Sequence, residues 1–184
     1  MIAEQTSLTA GRMLRREEIP QVWNIDRSEQ IENVYYLERE RLVLKPEPHE
    51  VHGWPPGEAE KYTPILFECF DRGGWFYGNF QDARLVGVAV LDSKWLGSRR
   101  DQLQLEFLHV SNAARKRGLG THLFELARFT ALERGARRLY ISATPSENTV
   151  KFYLRLGCRL AAEPDRELLA REPDDIHLEC DLRP

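Results

Sequence analysis

An apolar segment in the middle of the chain leads into a basic, glycine-containing turn, and the turn leads into an amphipathic helix. Residues 103–110 are rich in strand-forming side chains and alternate in polarity, which predicts a strand. Residues 118–134 carry apolar side chains at helical spacing, and Gly135 ends the predicted helix. With a further strand at residues 138–142, this order predicts two parallel strands joined by a helical crossover.

The turn between this strand and helix has the chemistry of a phosphate-binding loop. The first N–H groups of a helix lack intrahelical acceptors and carry partial positive charge, so they bind anions. Gly118 and Gly120 have no Cβ and let a pyrophosphate approach the backbone, while Arg115, Lys116 and Arg117 add positive charge. A tight turn beside a solvated charge cluster would show the same pattern, so the turn alone does not establish a site.

Two sequence blocks together resemble a known family. Arg115-x-x-Gly118-x-Gly120, between strand and helix, resembles the acyl-CoA pyrophosphate loop of the GNAT N-acetyltransferase superfamily. Residues 148–157, Asn-Thr-Val-Lys-Phe-Tyr-Leu-Arg-Leu-Gly, are similar to a later helix of that family. Two blocks in the right order are far more specific than one.

Four positions depart from the family pattern within the matching region. Asn112 stands where Pro is common, Ala114 where an aromatic is common, Lys116 where Gly is common and Cys158 where Phe is common. None of these changes removes a phosphate contact. They therefore bear on the shape of the loop rather than on the identity of the cofactor.

The resemblance implies an α/β fold of the GNAT type, with a mixed central β-sheet flanked by helices and a splayed pair of parallel strands. It also implies acetyl-CoA as acyl donor, with free backbone groups on the splayed strand pairing with the pantetheine arm and stabilising the thioester oxygen. The implied cofactor-binding residues are Leu108, His109, Val110, Arg115, Lys116, Arg117, Gly118, Leu119, Gly120, Thr121 and Asn148.

Glu106 and Tyr153 are the candidate catalytic residues. In a regular strand Glu106 would face the same side as Leu108 and Val110, toward the cofactor, although a bulge would alter this. Burial would raise its pKa toward that of a useful base, but an acid paired with a neighbouring Arg is an equal alternative. By resemblance Tyr153 protonates the departing thiolate, and the alternative is an aromatic packed against Phe152.

The remaining pattern completes a mixed α/β order in which residues 1–10 are a flexible N-terminus and residues 11–184 form a single N-acetyltransferase domain. The segment at residues 31–44 favours strands over a charged helix, and Ser146 caps a later helix. The predicted strands are residues 11–15, 33–37, 41–44, 75–80, 84–91, 159–162 and 176–182. One helix is predicted to begin at residue 17, and two others are predicted at residues 57–72 and 147–156. Loops are predicted at residues 46–56 and 94–101, and a loop or partial helix at residues 164–175.

Charge and composition exclude several classes of protein. A net charge of −3 argues against a general nucleic-acid binder, and no apolar run or N-terminal signal pattern indicates a membrane partner or export, so a cytoplasmic location is expected. Cys69, Cys158 and Cys180 form no paired motif, and His49 and His52 have no acidic or Cys partners at ligand spacing. We therefore expect neither a disulfide framework nor a bound metal.

The function predicted from these observations is direct acetyl transfer from acetyl-CoA to a primary amine of a small molecule or peptide. The alternative is a non-catalytic acyl-CoA-binding sensor or interaction module, which needs the loop but neither Glu106 nor Tyr153. A nucleotide enzyme is disfavoured because no Walker or dinucleotide pattern accompanies the glycines. Asp26, Glu29 and Glu32 form either an anionic mouth for a cationic amine or an ordinary solvated loop. A homodimer is left open.

Overall fold

The computed structural model describes residues 10–182 as strands and helices in mixed order. The strands are β1 Ala10–Met13, β2 Glu29–Glu38, β3 Arg41–Val51, β4 Trp75–Gln81, β5 Arg84–Leu96, β6 Gln102–Val110, β7 Arg138–Ala143, β8 Arg159–Leu160 and β9 Ile176–Asp181. The α-helices are α1 Glu58–Asp71, α2 Leu119–Glu133, α3 Glu147–Arg155 and α4 Arg166–Arg171, and short 3-10 helices span Arg16–Asn24 and Asn112–Ala114. The expectation for residues 1–9 lies outside the described residues, and Ala10 already belongs to β1.

Seven of these strands form one mixed sheet in the order β1-β4-β5-β6-β7-β9-β8, and β2 and β3 form a separate hairpin. Neighbours in the large sheet are antiparallel except β6 and β7, which are parallel as predicted. This pair is hydrogen-bonded only where Gln102–Gln104 faces Arg138–Tyr140. Beyond that point the two strands diverge, so the predicted mixed sheet with a splayed parallel pair is confirmed.

The sheet separates two apolar cores, and the packing of α2 fixes the position of the predicted loop. Leu123, Phe124 and Ala127 on one face of α2 are fully buried against the sheet. Gly87 on β5 allows the close approach, because a Cβ added there would lie 3.1 Å from side-chain atoms of Leu119 and Leu123. The opposite face of the sheet is covered by α1 and the first 3-10 helix.

The strands predicted at residues 33–37 and 41–44 are confirmed, but the loop predicted at 46–56 is wrong in its first half. β3 continues through Pro46 and Pro48 to Val51. A proline is tolerated there because, in the part of the chain that the structure describes, β3 pairs with β2 alone, so its outer edge requires no N–H donors. The prolines were therefore a signal for an edge strand rather than for a loop.

The loop predicted at residues 94–101 begins too early. β5 runs to Leu96, and Trp95 pairs with Leu103 after an irregularity in register that begins at Leu91. Polar residues at this irregularity are accommodated by side-chain bonds, as Asp92 accepts two hydrogen bonds from Arg72. Residues 164–175, predicted as a loop or partial helix, contain α4. The strand predicted at residues 159–162 ends at Leu160.

Replacing a buried residue of α2 should lower stability much more than replacing an exposed one. We expect Leu123→Ala to reduce the free energy of unfolding by about 3 kcal/mol, because the lost methyl groups leave a cavity against the sheet. Leu132→Ala, on the exposed side of the same helix, should change it by less than about 1 kcal/mol. Urea unfolding curves measure both, and equal losses would contradict the packing described for α2.

Candidate active site

The splayed ends of β6 and β7 form a gap that exposes backbone groups of β6. The N–H of Ser111 donates to the carbonyl of Val86 on the β5 side at 2.8 Å. By the alternation of a strand, the backbone groups of His109 also face β5. Because backbone groups alternate in direction along a strand, those of Leu108 and Val110 point away from β5 and into the gap. β7 does not pair with β6 at this level, so these groups have no strand partner among residues 10–182, although the carbonyl of Val110 accepts a hydrogen bond from Arg115.

A β-bulge at Glu106 changes the direction of its side chain from the one a regular strand would give. Phe107 lies opposite Val90 and Leu105 lies opposite Leu91, so Glu106 is the extra residue of β6. Leu105 packs in the core on the α2 side, whereas Phe107 packs in the core on the α1 side. The expectation that Glu106 faces the same side as Leu108 is therefore wrong, because the bulge breaks the alternation.

The turn after β6 forms an open loop at the start of α2. The first bond to a residue four positions earlier runs from the N–H of His122 to the carbonyl of Gly118, so the amides of Leu119, Gly120 and Thr121 have no intrahelical acceptor. Gly118, the residue before the helix, has no side chain that could cap this helix end. Gly118 has a φ of 82°, and a Cβ added there would meet no atom within 4 Å.

Arg115 shapes the loop through contacts within the protein. Its Nε donates to the carbonyl of Val110 at 2.9 Å, and its Nη1 donates to the carbonyl of Ser28 at 3.1 Å. The guanidinium that was expected to face the anion is thus engaged with the backbone. Lys116 and Arg117, by contrast, are exposed beside the start of α2.

Asn148 is joined to the same loop through an acidic residue. Its side-chain amide donates to Glu29 at 2.8 Å, and the other carboxylate oxygen of Glu29 lies 3.9 Å from Arg115. The structure thus links Asn148 to the loop through Glu29, and its predicted contact with the cofactor stays a prediction. Glu29 was considered only as part of an acidic mouth in the sequence analysis.

Glu106 is buried and paired. Its side chain is 4% exposed, and Arg171 of α4 donates to one carboxylate oxygen at 2.8 Å. Burial raises the pKa of Glu106 above its ordinary value, although the charge of Arg171 acts in the opposite direction. The sequence offered two alternatives for Glu106: a carboxyl whose pKa is raised by burial, or an acid paired with an Arg. The structure shows both features together.

Tyr153 lies on the buried face of α3, where its ring contacts those of Phe124 and Phe152. Its hydroxyl makes no hydrogen bond within residues 10–182, and it is not among the fully enclosed polar atoms without a partner. Burial raises the pKa of Tyr153, and the charge of Asp175 adds to the effect. The residue is packed, as the structural alternative requires, but its phenol is free to act on a ligand.

Asp175 was missed by the sequence analysis because it ends the charged segment that was left as loop. The hydroxyl of Ser142, on the diverging end of β7, donates to Asp175 at 2.8 Å. Burial raises the pKa of this carboxyl to about 6. The sheet topology, rather than a sequence motif, would have indicated this residue. Because β9 is antiparallel to β7, the residue before β9 lies beside the end of β7.

His109 is the predicted cofactor residue that the structure does not bring to the gap. Its backbone faces β5, and its ring lies 4.8 Å from that of Trp54 and 5.1 Å from that of Phe107. Burial, with a smaller effect of Arg27 and Arg115, lowers the pKa of His109 to about 3. The imidazole is therefore neutral and belongs to an aromatic cluster on the α1 side of the sheet.

Two further findings concern ligands and membranes. Within residues 10–182, no group of three or more His, Cys, Asp or Glu side chains is arranged to hold a metal ion. None of the helices in this part of the chain has the length and apolar content that crossing a bilayer requires.

Residues 31–158 match the family model described as the acetyltransferase (GNAT) family. The chain belongs to that family. The matched region contains the gap, the loop before α2 and the whole of α3. In this GNAT chain Lys116 replaces a common glycine yet keeps a φ of 61°, so the loop retains a backbone conformation that glycine adopts more readily.

Solved GNAT structures share the whole architecture with low sequence identity. Nourseothricin acetyltransferase aligns with a TM-score of 0.72 and 19% identity, covering 95% of this chain and 99% of that one. A Bacillus anthracis strain Ames protein described as a streptothricin acetyltransferase, in complex with acetyl coenzyme A, aligns with a TM-score of 0.70 and 16% identity over 95% and 98%. PaiA N-acetyltransferase from Thermoplasma acidophilum, in complex with coenzyme A, gives 0.61 and 14% over 95% and 99%. At these identities the similarity establishes the fold.

The free hydroxyl of Tyr153 gives a test of its structural role. We expect Tyr153→Phe to change the free energy of unfolding by less than about 0.5 kcal/mol, because no hydrogen bond is lost. Tyr140→Phe is the matched control: its buried hydroxyl contacts His177 at 2.6 Å and accepts from the N–H of Asp165 at 2.9 Å. Its loss should lower stability by about 1–3 kcal/mol. Chemical denaturation measures both, and a large loss for Tyr153→Phe would indicate a structural hydroxyl.

Proposed function

We propose that this GNAT-family chain transfers the acetyl group of acetyl-CoA directly to a primary amine of a small molecule or peptide. The observation that carries the proposal is that the backbone groups of Leu108 and the N–H of Val110 have no strand partner among the described residues, beside a start of α2 whose preceding residue, Gly118, has no capping side chain. The strand offers hydrogen bonds to an extended amide-containing arm, and the helix start offers amides to a diphosphate. Coenzyme A contains both groups in one molecule. The proposed domain comprises residues 11–184.

The donor would be held mainly by the backbone. The amides of Leu119, Gly120 and Thr121 would bind the diphosphate, with Lys116 and Arg117 adding charge from the side. Arg115 would support the diphosphate site indirectly. Its hydrogen bonds to the carbonyls of Val110 and Ser28 hold the loop in the conformation that exposes these amides. A backbone N–H in the gap would bind the thioester oxygen and stabilise the charge that develops on it.

The chemistry requires three proton transfers around one bond exchange: the ammonium loses one proton before attack, the thiolate gains one as it leaves, and the second proton of the attacking nitrogen is lost as the amide forms and restores the proton of the acid. The amine attacks the thioester carbonyl, a C–N bond forms, and the C–S bond breaks. A carboxylate on the acceptor side takes the proton of the ammonium, and we assign this to Glu106, whose raised pKa suits a base. Tyr153 donates its proton to the leaving thiolate. Apolar burial that raises the pKa of the phenol also destabilises the thiolate, so the transfer remains favourable.

The general test is release of free thiol from acetyl-CoA over a panel of primary amines. We expect Tyr153→Phe to lower kcat about 100-fold, because a general acid is lost, while calorimetric affinity for CoA changes less than about twofold. Equal kcat for the two proteins would remove Tyr153 from the mechanism. Binding of CoA without thiol release from any amine would instead favour a sensor or interaction module.

The loop before α2 can be tested with two glycines of the same helix. Gly118 and Gly135 flank α2, have φ values of 82° and 92°, and have open space where a Cβ would stand. We expect Gly118→Ala and Gly135→Ala to lower stability equally, by about 1 kcal/mol, because both force alanine into the left-handed region. Gly118→Ala alone should weaken CoA binding, by about tenfold, because its methyl group stands in the loop. Calorimetric titration that shows equal affinities would contradict the proposed diphosphate site.

A further inference from the structure

The short helix α4 crosses the gap between the two diverging strands. In sequence it connects β8 to β9, on the β7 side of the gap, and Leu168 anchors it in a small cluster with Tyr140. Its charged residues nevertheless reach across to α1 and β5. Glu172, at its end, lies 3.1 Å from Lys61, and Glu167 lies 2.7 Å from Lys94. These side-chain ion pairs are partly exposed, so they hold α4 weakly.

Arg171 is the residue of α4 that enters the gap. Its Nη2 donates to Glu106 at 2.8 Å, and its guanidinium carbon lies 5.7 Å from the ring centroid of Tyr62. Its Nε is fully enclosed and has no acceptor within residues 10–182. An enclosed donor without an acceptor is unfavourable, because it has lost its hydrogen bond to water and gained none in return. The pair with Glu106 therefore neutralises a buried carboxylate but leaves the cation incompletely satisfied.

Several carboxylates lie on this side of the sheet, and two of them are paired with cations: Glu58 with Arg27 at 3.3 Å and Glu172 with Lys61 at 3.1 Å. Burial raises the pKa of Glu58, the charges of Arg27 and Lys61 oppose this, and repulsion by Glu172 adds to it. Burial also raises the pKa of Asp175, to about 6, with the same repulsion from Glu172. A further carboxylate brought in by a ligand would be repelled here, whereas an ammonium group would be attracted. The surroundings thus favour a cationic ligand over an anionic one.

We propose that Arg171 is a specificity-determining residue that occupies the place of the acceptor's ammonium group at Glu106. A cationic acceptor displaces the guanidinium, so Glu106 exchanges one positive partner for another and is never left buried and unpaired. The site therefore selects amines that carry positive charge and no carboxylate near the reacting nitrogen. That the displacing cation is the acetyl acceptor rests on the proposed acetyl transfer. The exchange of cations at Glu106 is a binding equilibrium, so it can be measured without turnover.

The test compares Arg171→Gln with Arg166→Gln, an exposed arginine of the same helix. The probe is 1,4-diaminobutane, titrated calorimetrically at pH 8 into each protein saturated with CoA. We expect Arg171→Gln to bind the diamine about tenfold more tightly than wild type, because the competing cation is gone. Arg166→Gln should bind it as wild type does. In thiol-release assays Arg171→Gln should lower KM for the diamine about tenfold and change kcat less than twofold.

A double variant keeps the test valid if Arg171→Gln unfolds because Glu106 is left unpaired. Glu106→Gln with Arg171→Gln removes both charges, and its diamine affinity should fall below that of wild type. Diamine affinity that is unchanged in Arg171→Gln, or equal to or tighter than wild type in the double variant, would overturn the proposal. So would weaker binding of β-alanine by Arg171→Gln, since Arg171 would then anchor a carboxylate. Failure of thiol release with the expected binding results would refute acetyl transfer alone.

Discussion

The early separation of two parallel strands is the constraint on which the rest of the site depends. β6 and β7 share hydrogen bonds at only three residues of each strand and then diverge. Unpaired backbone groups away from water are unfavourable, so a gap of this kind requires either solvent or a ligand to satisfy them. The loop before α2, the phenol of Tyr153 and the carboxylates of Glu106 and Asp175 are all arranged around its edges.

Contacts outside the gap keep the two strands apart. β7 is paired along its whole length with β9, and β2 docks beyond its end, where the N–H of Tyr35 donates to the carbonyl of Pro145 at 2.8 Å. On the other side, β6 is bulged at Glu106, and the carbonyl of Val110 is engaged by Arg115. Because β7 is tied to β9 and to β2, it could close the gap only by moving together with them, so the open arrangement belongs to the fold itself.

Local patterns in the sequence predicted most of the elements, whereas contacts between distant residues decided the site. The strand and helix around the loop, and the cap at Ser146, depend on neighbouring residues and were confirmed. The bulge at Glu106 depends on register with β5, and its pair with Arg171 joins residues 65 positions apart. Neither leaves a periodic signal in the sequence. The prolines of β3 show the same limit, because their meaning depended on whether a second partner strand was present.

The position of Glu106 explains why a helix as short as α4 is part of this site. The proposed base Glu106 cannot remain charged in its buried position without a partner, because an isolated carboxylate in an apolar site is strongly unfavourable. In the proposed exchange the chain itself supplies the cation when no amine is bound, and Arg171 does so from a helix of six residues. A long helix packed into the core would hold that cation too firmly to be exchanged. Apart from the buried side chain of Leu168, α4 is attached through partly exposed ion pairs, and this limited attachment suits the proposed exchange of the cation that faces Glu106.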